Sequence, residues 1–246
     1  MKRFALLGII AVLAIGLLIG PSLAEEMSVE AIMKAHVKAL GGTEAIDKIK
    51  TVKRTGTSSM DGILGQMKGT TEEIFVVGKK SYQHTDYEMY METSGWNGET
   101  GWTKNSMEAL KDVTGEDLED LESAAEISFL ATIWQEYGNV ALERLPDESY
   151  EGVDYIVLQI IGTEINCYLD PTTKLIAAMD MPFEDPDLGE SELLIVTEDY
   201  NAHNGVMLPD SMTILIGEDL LVIENKYTET RINEPVDDAI FEKPKN

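Results

Sequence analysis

The chain has one cysteine, three histidines and 19 basic residues among its 246, and each scarcity closes off a class of function. A single thiol, Cys167, cannot form an internal disulfide, so the fold must rest on its core. His36, His84 and His203 lie far apart, and no pair has the spacing of a local zinc motif. Basic residues are outnumbered by 45 acidic ones, for a net charge of −26, and between Lys111 and Lys226 only Arg144 and Lys174 are basic. Such a surface repels polyanions and lacks the clustered Lys and Arg that neutralise phosphates, which excludes nucleic acid as a partner. Solubility, or a salt-rich setting in which counterions screen self-repulsion, accounts for the acidity itself.

Catalytic motifs are equally scarce. No Gly-x-Ser-x-Gly elbow is present, and Ser58 and Ser59 sit in a strand-like stretch. Cys167 alternates with Ile165 and Leu169 and reads as a small buried hydrophobe rather than a nucleophile. His36 falls on the apolar stripe of a helix and is expected to be a satisfied core histidine. Two carboxylates about 5 to 10 Å apart suffice for glycoside cleavage, but with 45 acids in the chain such pairs arise by chance. Glu184, Asp185, Asp187, Glu190 and Glu192 gather hard oxygen donors of the kind calcium prefers, without the placed glycine of a calcium loop. With Pro182 and Pro186 this segment reads as a solvated acidic loop. No catalytic residue, metal ligand or cofactor is assigned.

What the sequence does have begins at its N-terminus. Lys2 and Arg3 precede an unbroken apolar run from Phe4 to Gly20, Pro21 ends it, and Ser22-Leu23-Ala24 supplies the small residues that signal peptidase requires. Residues 1–24 therefore read as an export signal cleaved after Ala24, against the alternative of a retained membrane anchor. Removing them takes away two basic and no acidic residues, so the remaining chain is more acidic still. Residues 25–246 are expected to form one domain, since nothing in composition marks a boundary and an all-β unit of this length commonly folds as one.

Val29, Ile32, Met33, His36, Val37 and Leu40 form a helical stripe, capped by Ser28 and ended by Gly41-Gly42, and Thr43 to Lys50 reads as a further short helix. The period then becomes two. Strands are predicted over Val52 to Met60, Thr70 to Val77 and Ser81 to Met91, the last placing Tyr87, Met89 and Met91 on one face. Asn97-Gly98 is expected to make a tight hairpin turn with positive φ at both residues. Thr114 to Tyr137 interrupts the strands with a helical stripe of Leu118, Leu121, Ala125, Phe129 and Ile133. Further strands are predicted over Val140 to Leu145, Val153 to Ile161, Glu164 to Leu169, Leu175 to Met181, Leu193 to Tyr200, Met212 to Ile216 and Leu220 to Ile232. Short turn-rich links between them require antiparallel pairing. The fold class is mainly β with some α: a single, highly curved antiparallel sheet with an N-terminal helix and an inserted helical segment.

Apolar side chains remain once catalysis recedes. Tyr87, Met89, Met91, Trp96 and Trp102 cluster around the early hairpins, and Phe129, Leu130 and Trp134 lie on the inserted helix. Such residues usually form ordinary core, but a strongly curved sheet can enclose more volume than its own side chains fill.

A set of motifs then resembles a known family. They are Ala39-Leu40-Gly41-Gly42-Thr43-Glu44-Ala45-Ile46, Trp96-Asn97-Gly98-Glu99-Thr100-Gly101-Trp102, and Tyr168-Leu169-Asp170-Pro171-Thr172-Thr173-Lys174-Leu175. Asp199-Tyr200 leading to Gly205-Val206-Met207-Leu208-Pro209, and Ile232-Asn233-Glu234-Pro235 followed by Ala239-Ile240-Phe241-Glu242-Lys243-Pro244, complete it. In order and spacing these resemble the outer-membrane lipoprotein-sorting proteins, relatives of the LolA and LolB carriers. The resemblance implies a half-open β-barrel closed by helices, with an apolar interior for lipid acyl chains. It points to an exported, non-enzymatic carrier of lipid or acylated lipoprotein in the periplasm or cell envelope, with a membrane or envelope protein as a further partner class. On that reading residues 114 to 137 form a lid, Phe129, Leu130 and Trp134 contact cargo, and Tyr87, Met89, Met91, Trp96 and Trp102 line the cavity. The alternatives are an envelope sensor of the same fold and a secreted hydrolase using a carboxylate pair.

Overall fold

The computed structural model describes residues 27–62, 65–115, 118, 121, 141–185, 189–217 and 220–245. The Ser28 hydroxyl caps helix α1 (Val29–Ala39) by accepting from the Ala31 N–H at 3.3 Å, and Ile32, Met33, His36 and Val37 form its buried face. The helix ends at Gly41 and Gly42, both at positive φ. At Gly41 a side chain has no room, since a Cβ would lie 2.1 Å from the Gly205 carbonyl oxygen. The short α2 (Thr43–Ile46) follows.

Among the described residues thirteen strands come next: β1 (Thr51–Gly62), β2 (Gly65–Val76), β3 (Lys80–Asp86), β4 (Met91–Trp96), β5 (Gly101–Asn105), β6 (Lys111–Val113), β7 (Leu142–Tyr150), β8 (Val153–Ile160), β9 (Asn166–Leu169), β10 (Ile176–Asp185), β11 (Gly189–His203), β12 (Val206–Ile216) and β13 (Leu221–Ile232). They form one sheet in the order β6-β5-β4-β3-β2-β1-β13-β12-β11-β10-β9-β8-β7. Two antiparallel meanders are thus sewn together along β1 and β13. The short β6 and the charged β7 are left as edges, so the sheet is a half-open barrel rather than a closed one. Pro146 sits in an irregularity between Leu145 and Glu148 of β7, the edge position that a residue without an N–H tolerates.

The helices define the inner face. Ile32 and Met33 pack with Ile156, Leu158, Cys167, Leu169, Ile176 and Met179, and the end of α1 with α2 packs on Val52, Phe75, Leu175, Leu208 and Ile232. Cys167, fully buried there, has its thiol pushed up to about 12 by burial. His36 is pinned to the Asp170–Lys174 turn, its Nδ1–H donating to the Lys174 carbonyl at 2.7 Å. Asp170 shapes that turn by accepting from the backbone N–H groups of Thr172 and Thr173 at 2.9 and 2.6 Å.

The expected strands are present, with three differences. The predicted Ser81 to Met91 strand is two strands separated by a turn: Asp86 Oδ1 accepts the Glu88 N–H at 2.9 Å and Glu88 takes φ 67°, a local bond that breaks the ladder. Asn97-Gly98 lies in a four-residue loop in which Trp96 pairs with Gly101 and only Gly98 of the two has positive φ. Two-residue turns with positive φ at both positions occur instead at Glu151-Gly152 between β7 and β8 and at Asn204-Gly205 between β11 and β12. Finally, much of the predicted acidic loop is strand: Pro182 pairs with Glu192, and β10 and β11 continue to Asp185 and from Gly189. Of the inserted segment, Thr114 and Gly115 are described and not helical, and Leu118 and Leu121 are described and helical; the rest of the predicted helix, including Phe129, Leu130 and Trp134, lies outside the described residues. So do residues 1–24, the expected export signal.

Candidate ligand-binding face

Strand register assigns each candidate to a face. Val52 and Phe75 pair across β1 and β2 beneath α1 and α2, so residues in phase with them face inward. By this count Ser81 and its partner Trp96 face inward, and Trp96 is buried. Tyr87 also faces inward, its hydroxyl 2.9 Å from Ser58 Oγ. Trp102 pairs with Gly95, one residue out of phase with Trp96, and therefore lies on the outer face. There its Nε1–H donates to the Phe241 carbonyl at 3.0 Å. Met91 pairs with Asp86 and shares that outer phase. Met89 sits in the β3–β4 turn and is 84% exposed. The helical Leu118 and Leu121 approach the inner side of β5, where their Cδ1 atoms lie 2.9 and 2.8 Å from a Cβ built on Gly101.

Beyond the ground covered by α1 and α2, the inner face is divided. Its β10–β12 half is apolar: Met179, Ile195 and Ile214 lie across the sheet from one another, as do Met181, Leu193 and Ile216. Ile195 and Met212 are buried, while Met181, Leu193 and Ile214 are only half-buried against them. These residues escaped the sequence reading, which sought the wall where aromatics cluster. Their signal is the alternation of the late strands, Met179-Met181-Phe183 and Met212-Ile214-Ile216.

The β1, β2 and β13 part is polar. Arg54 pairs with Glu73 across β1 and β2, and its Nη2 lies 2.7 Å from Glu73 Oε2. The Tyr227 hydroxyl donates to Glu73 Oε1 at 2.7 Å, and the guanidinium stacks 4.2 Å from the Tyr227 ring centroid. A register shift opposite Thr55 and Gly56 brings both Thr230 and Tyr227 inward beside Arg54. Gly56 permits it, because a Cβ there would lie 2.0 Å from the Lys226 carbonyl oxygen. Burial opposes the Arg54 charge, but Tyr227 and Glu73 more than offset it and hold its pKa above the ordinary guanidinium value. Burial, reinforced by Glu73, pushes the Tyr227 hydroxyl up against the opposing pull of Arg54. The trio is thus a carboxylate and a cation neutralising each other, with a neutral phenol as donor.

At the β9–β11 end of the sheet a shallow concavity of about 630 Å³ is lined by Glu164, Asn166, Asp180, Pro182 and Glu192 together with Met181, Phe183 and Ser191, so it takes in residues of both strand phases. Asn166 Nδ2 and the Tyr168 hydroxyl donate to the two oxygens of Asp180 at 2.8 and 2.6 Å. Among the described residues no group of three or more His, Cys, Asp or Glu side chains is arranged to hold a metal ion.

This geometry recurs in solved structures. The LolA superfamily protein from Nitrosomonas europaea superposes with a TM-score of 0.57 at 13% identity, over 88% of this chain and 98% of that one. The chain has a LolA-like fold. A DUF1329 family protein from Desulfovibrio piger gives a TM-score of 0.55 at 11% identity, over 87% and 97% of the two chains. An outer membrane lipoprotein-sorting protein domain from Vibrio parahaemolyticus gives 0.53 at 13%, over 86% and 95%. At these identities the likeness speaks for the fold alone. No family model and no curated protein matches the chain in sequence.

Proposed function

We propose that this protein is an exported, non-enzymatic carrier that holds the acyl chain of a lipid or an acylated protein against the inner face of its half-open barrel. The observation that carries the reading is the patch of half-buried Met181, Leu193 and Ile214 on the inner face, packed against Ile195 and Met212. An acyl chain laid there would withdraw about 0.8 kcal/mol of hydrophobic free energy per methylene from water, roughly 10 kcal/mol for one long chain before ordering costs. Tyr87 and Trp96 would bound the cavity on the opposite flank, and residues 114 to 137 would cover its mouth, with Phe129, Leu130 and Trp134 turned to the cargo. Methionines adapt their shape readily, which suits a site that must grip and then release. Cleavage after Ala24 would free residues 25–246 to move between envelope membranes.

Gentle purification from the native envelope, organic extraction and mass spectrometry test the reading. Lipid or acylated peptide in stoichiometric amount is the expected result. Absence of any bound lipid, together with no uptake of a fluorescent fatty acid, would overturn it.

A further inference from the structure

The polar part of the inner face narrows what such a ligand must look like. Ser58, Glu73, Tyr87, Asn225 and Tyr227 are all buried on it together with Arg54. Buried polar atoms are ordinarily paired, because an unpaired one forfeits its hydrogen bonds to water. Outside the Arg54–Glu73 ion pair two are not: Asn225 Oδ1 and Thr230 Oγ1 are buried without a hydrogen-bond partner. Asn225 stands at the seam between the two kinds of wall, since it pairs with Ser58 on β1 at one side and with Met212 on β12 at the other. An occupant reaching from the apolar half therefore meets an unmet acceptor where the polar half begins.

The charge of that occupant is constrained too. Arg54 already faces Glu73 and Tyr227, so the pair adds no net charge to the wall. The chain around it carries a net −26. An anionic head would have to enter this field and be desolvated beside Glu73. A neutral head with hydroxyl or N–H donors meets no such opposition and satisfies Asn225 Oδ1.

We propose that the inner face selects single-chain acyl amphiphiles with an uncharged, hydrogen-bond-donating head, the chain lying along β10–β12 and the head at Asn225. This rests on the acyl-carrier reading above and adds the head group to it. Fatty-acid anions and donor-free esters are then poor ligands.

Calorimetric titration of the chain spanning residues 25–246 with 1-lauroylglycerol, laurate and methyl laurate, each below its aggregation concentration, tests this. The expected result is 1-lauroylglycerol binding about tenfold tighter than either of the others, a difference of one decade in Kd. Asn225→Leu should shrink the preference to about twofold while leaving methyl laurate binding nearly unchanged; if that variant does not fold, the ranking by the unsubstituted protein decides alone. Equal binding of all three, or preference for laurate, overturns the head-group inference and leaves the acyl reading standing. Binding of none overturns both.

Discussion

Arg54 and Glu73 place opposite charges 2.7 Å apart at side-chain exposures of 3% and 8%. A pair this deep is a poor source of net stability but a dangerous one to split, because removing one partner strands the other charge away from water. Glu73→Gln is therefore expected to cost about 3–5 kcal/mol in urea unfolding, whereas Arg54→Met with Glu73→Leu recovers most of that loss. His36 gives a second prediction. Its Nδ1 carries the proton donated to Lys174, so protonation must put a second N–H on Nε2, which is buried without a partner. Burial accordingly holds the His36 pKa below its ordinary value of 6.5. The unfolded chain then binds the proton more readily, so stability is complete above about pH 6.5 and falls on acidification until the lower folded pKa is passed. Within that window the slope is expected to approach about 1.4 kcal/mol per pH unit, and His36→Gln should flatten it. The role of His36 as a core residue was legible from the helical stripe; Arg54 went unread, although its alternation with Val52 carries the signal of its inward phase. The opposition of Trp96 and Trp102 was not, because which face a residue takes after a hairpin depends on how many residues the loop consumes.

Elements were read well where alternation is uninterrupted and poorly where a side chain remakes the backbone. The strand through Tyr87, Met89 and Met91 looked continuous by period alone, yet one Asp86 hydrogen bond turns the chain there. Pro182 and its acidic neighbours looked like loop by composition, although the ladder from β10 to β11 tolerates them. The C-terminal segment shows how a short element gains weight through its contacts. A 3-10 turn at Asp238–Ile240 delivers Phe241, fully buried, onto the outer face. The Phe241 carbonyl takes the Trp102 indole N–H, and Lys80 reaches both Asp238 at 2.9 Å and the Phe241 ring, 5.6 Å from its centroid. Trp102 in turn covers Gly95, where a Cβ would meet its Nε1 at 2.5 Å. The strap thus fastens the β3–β5 end of the sheet, whose outermost strand β6 has only three residues. Phe241→Ala is expected to cost about 3–5 kcal/mol. Hydrogen exchange should show the loss of protection concentrated in β4, β5 and β6 rather than spread over β8–β12.

At the scale of the whole molecule, the two meanders pair along β1 and β13 and share the core under α1 and α2, while a net charge of −26 pushes the chain apart. The ion pairs that oppose this repulsion are mostly exposed, as Lys48–Glu44 and Arg231–Glu229 are, and exposed pairs contribute little. Salt acts on both: it weakens those few attractions and screens the many repulsions among unpaired carboxylates. With 45 acidic against 19 basic residues, repulsion dominates, so screening favours the compact state. The urea midpoint is therefore expected to rise as sodium chloride increases from about 10 mM to about 300 mM, over which the Debye length falls from about 30 Å to below about 8 Å, and then to level off. The Glu73→Gln protein should show the same upward trend, because the buried pair lies beyond the reach of added ions. A midpoint that falls with salt would mean that specific ion pairs outweigh the general repulsion, and would remove self-repulsion as the main electrostatic feature of this fold.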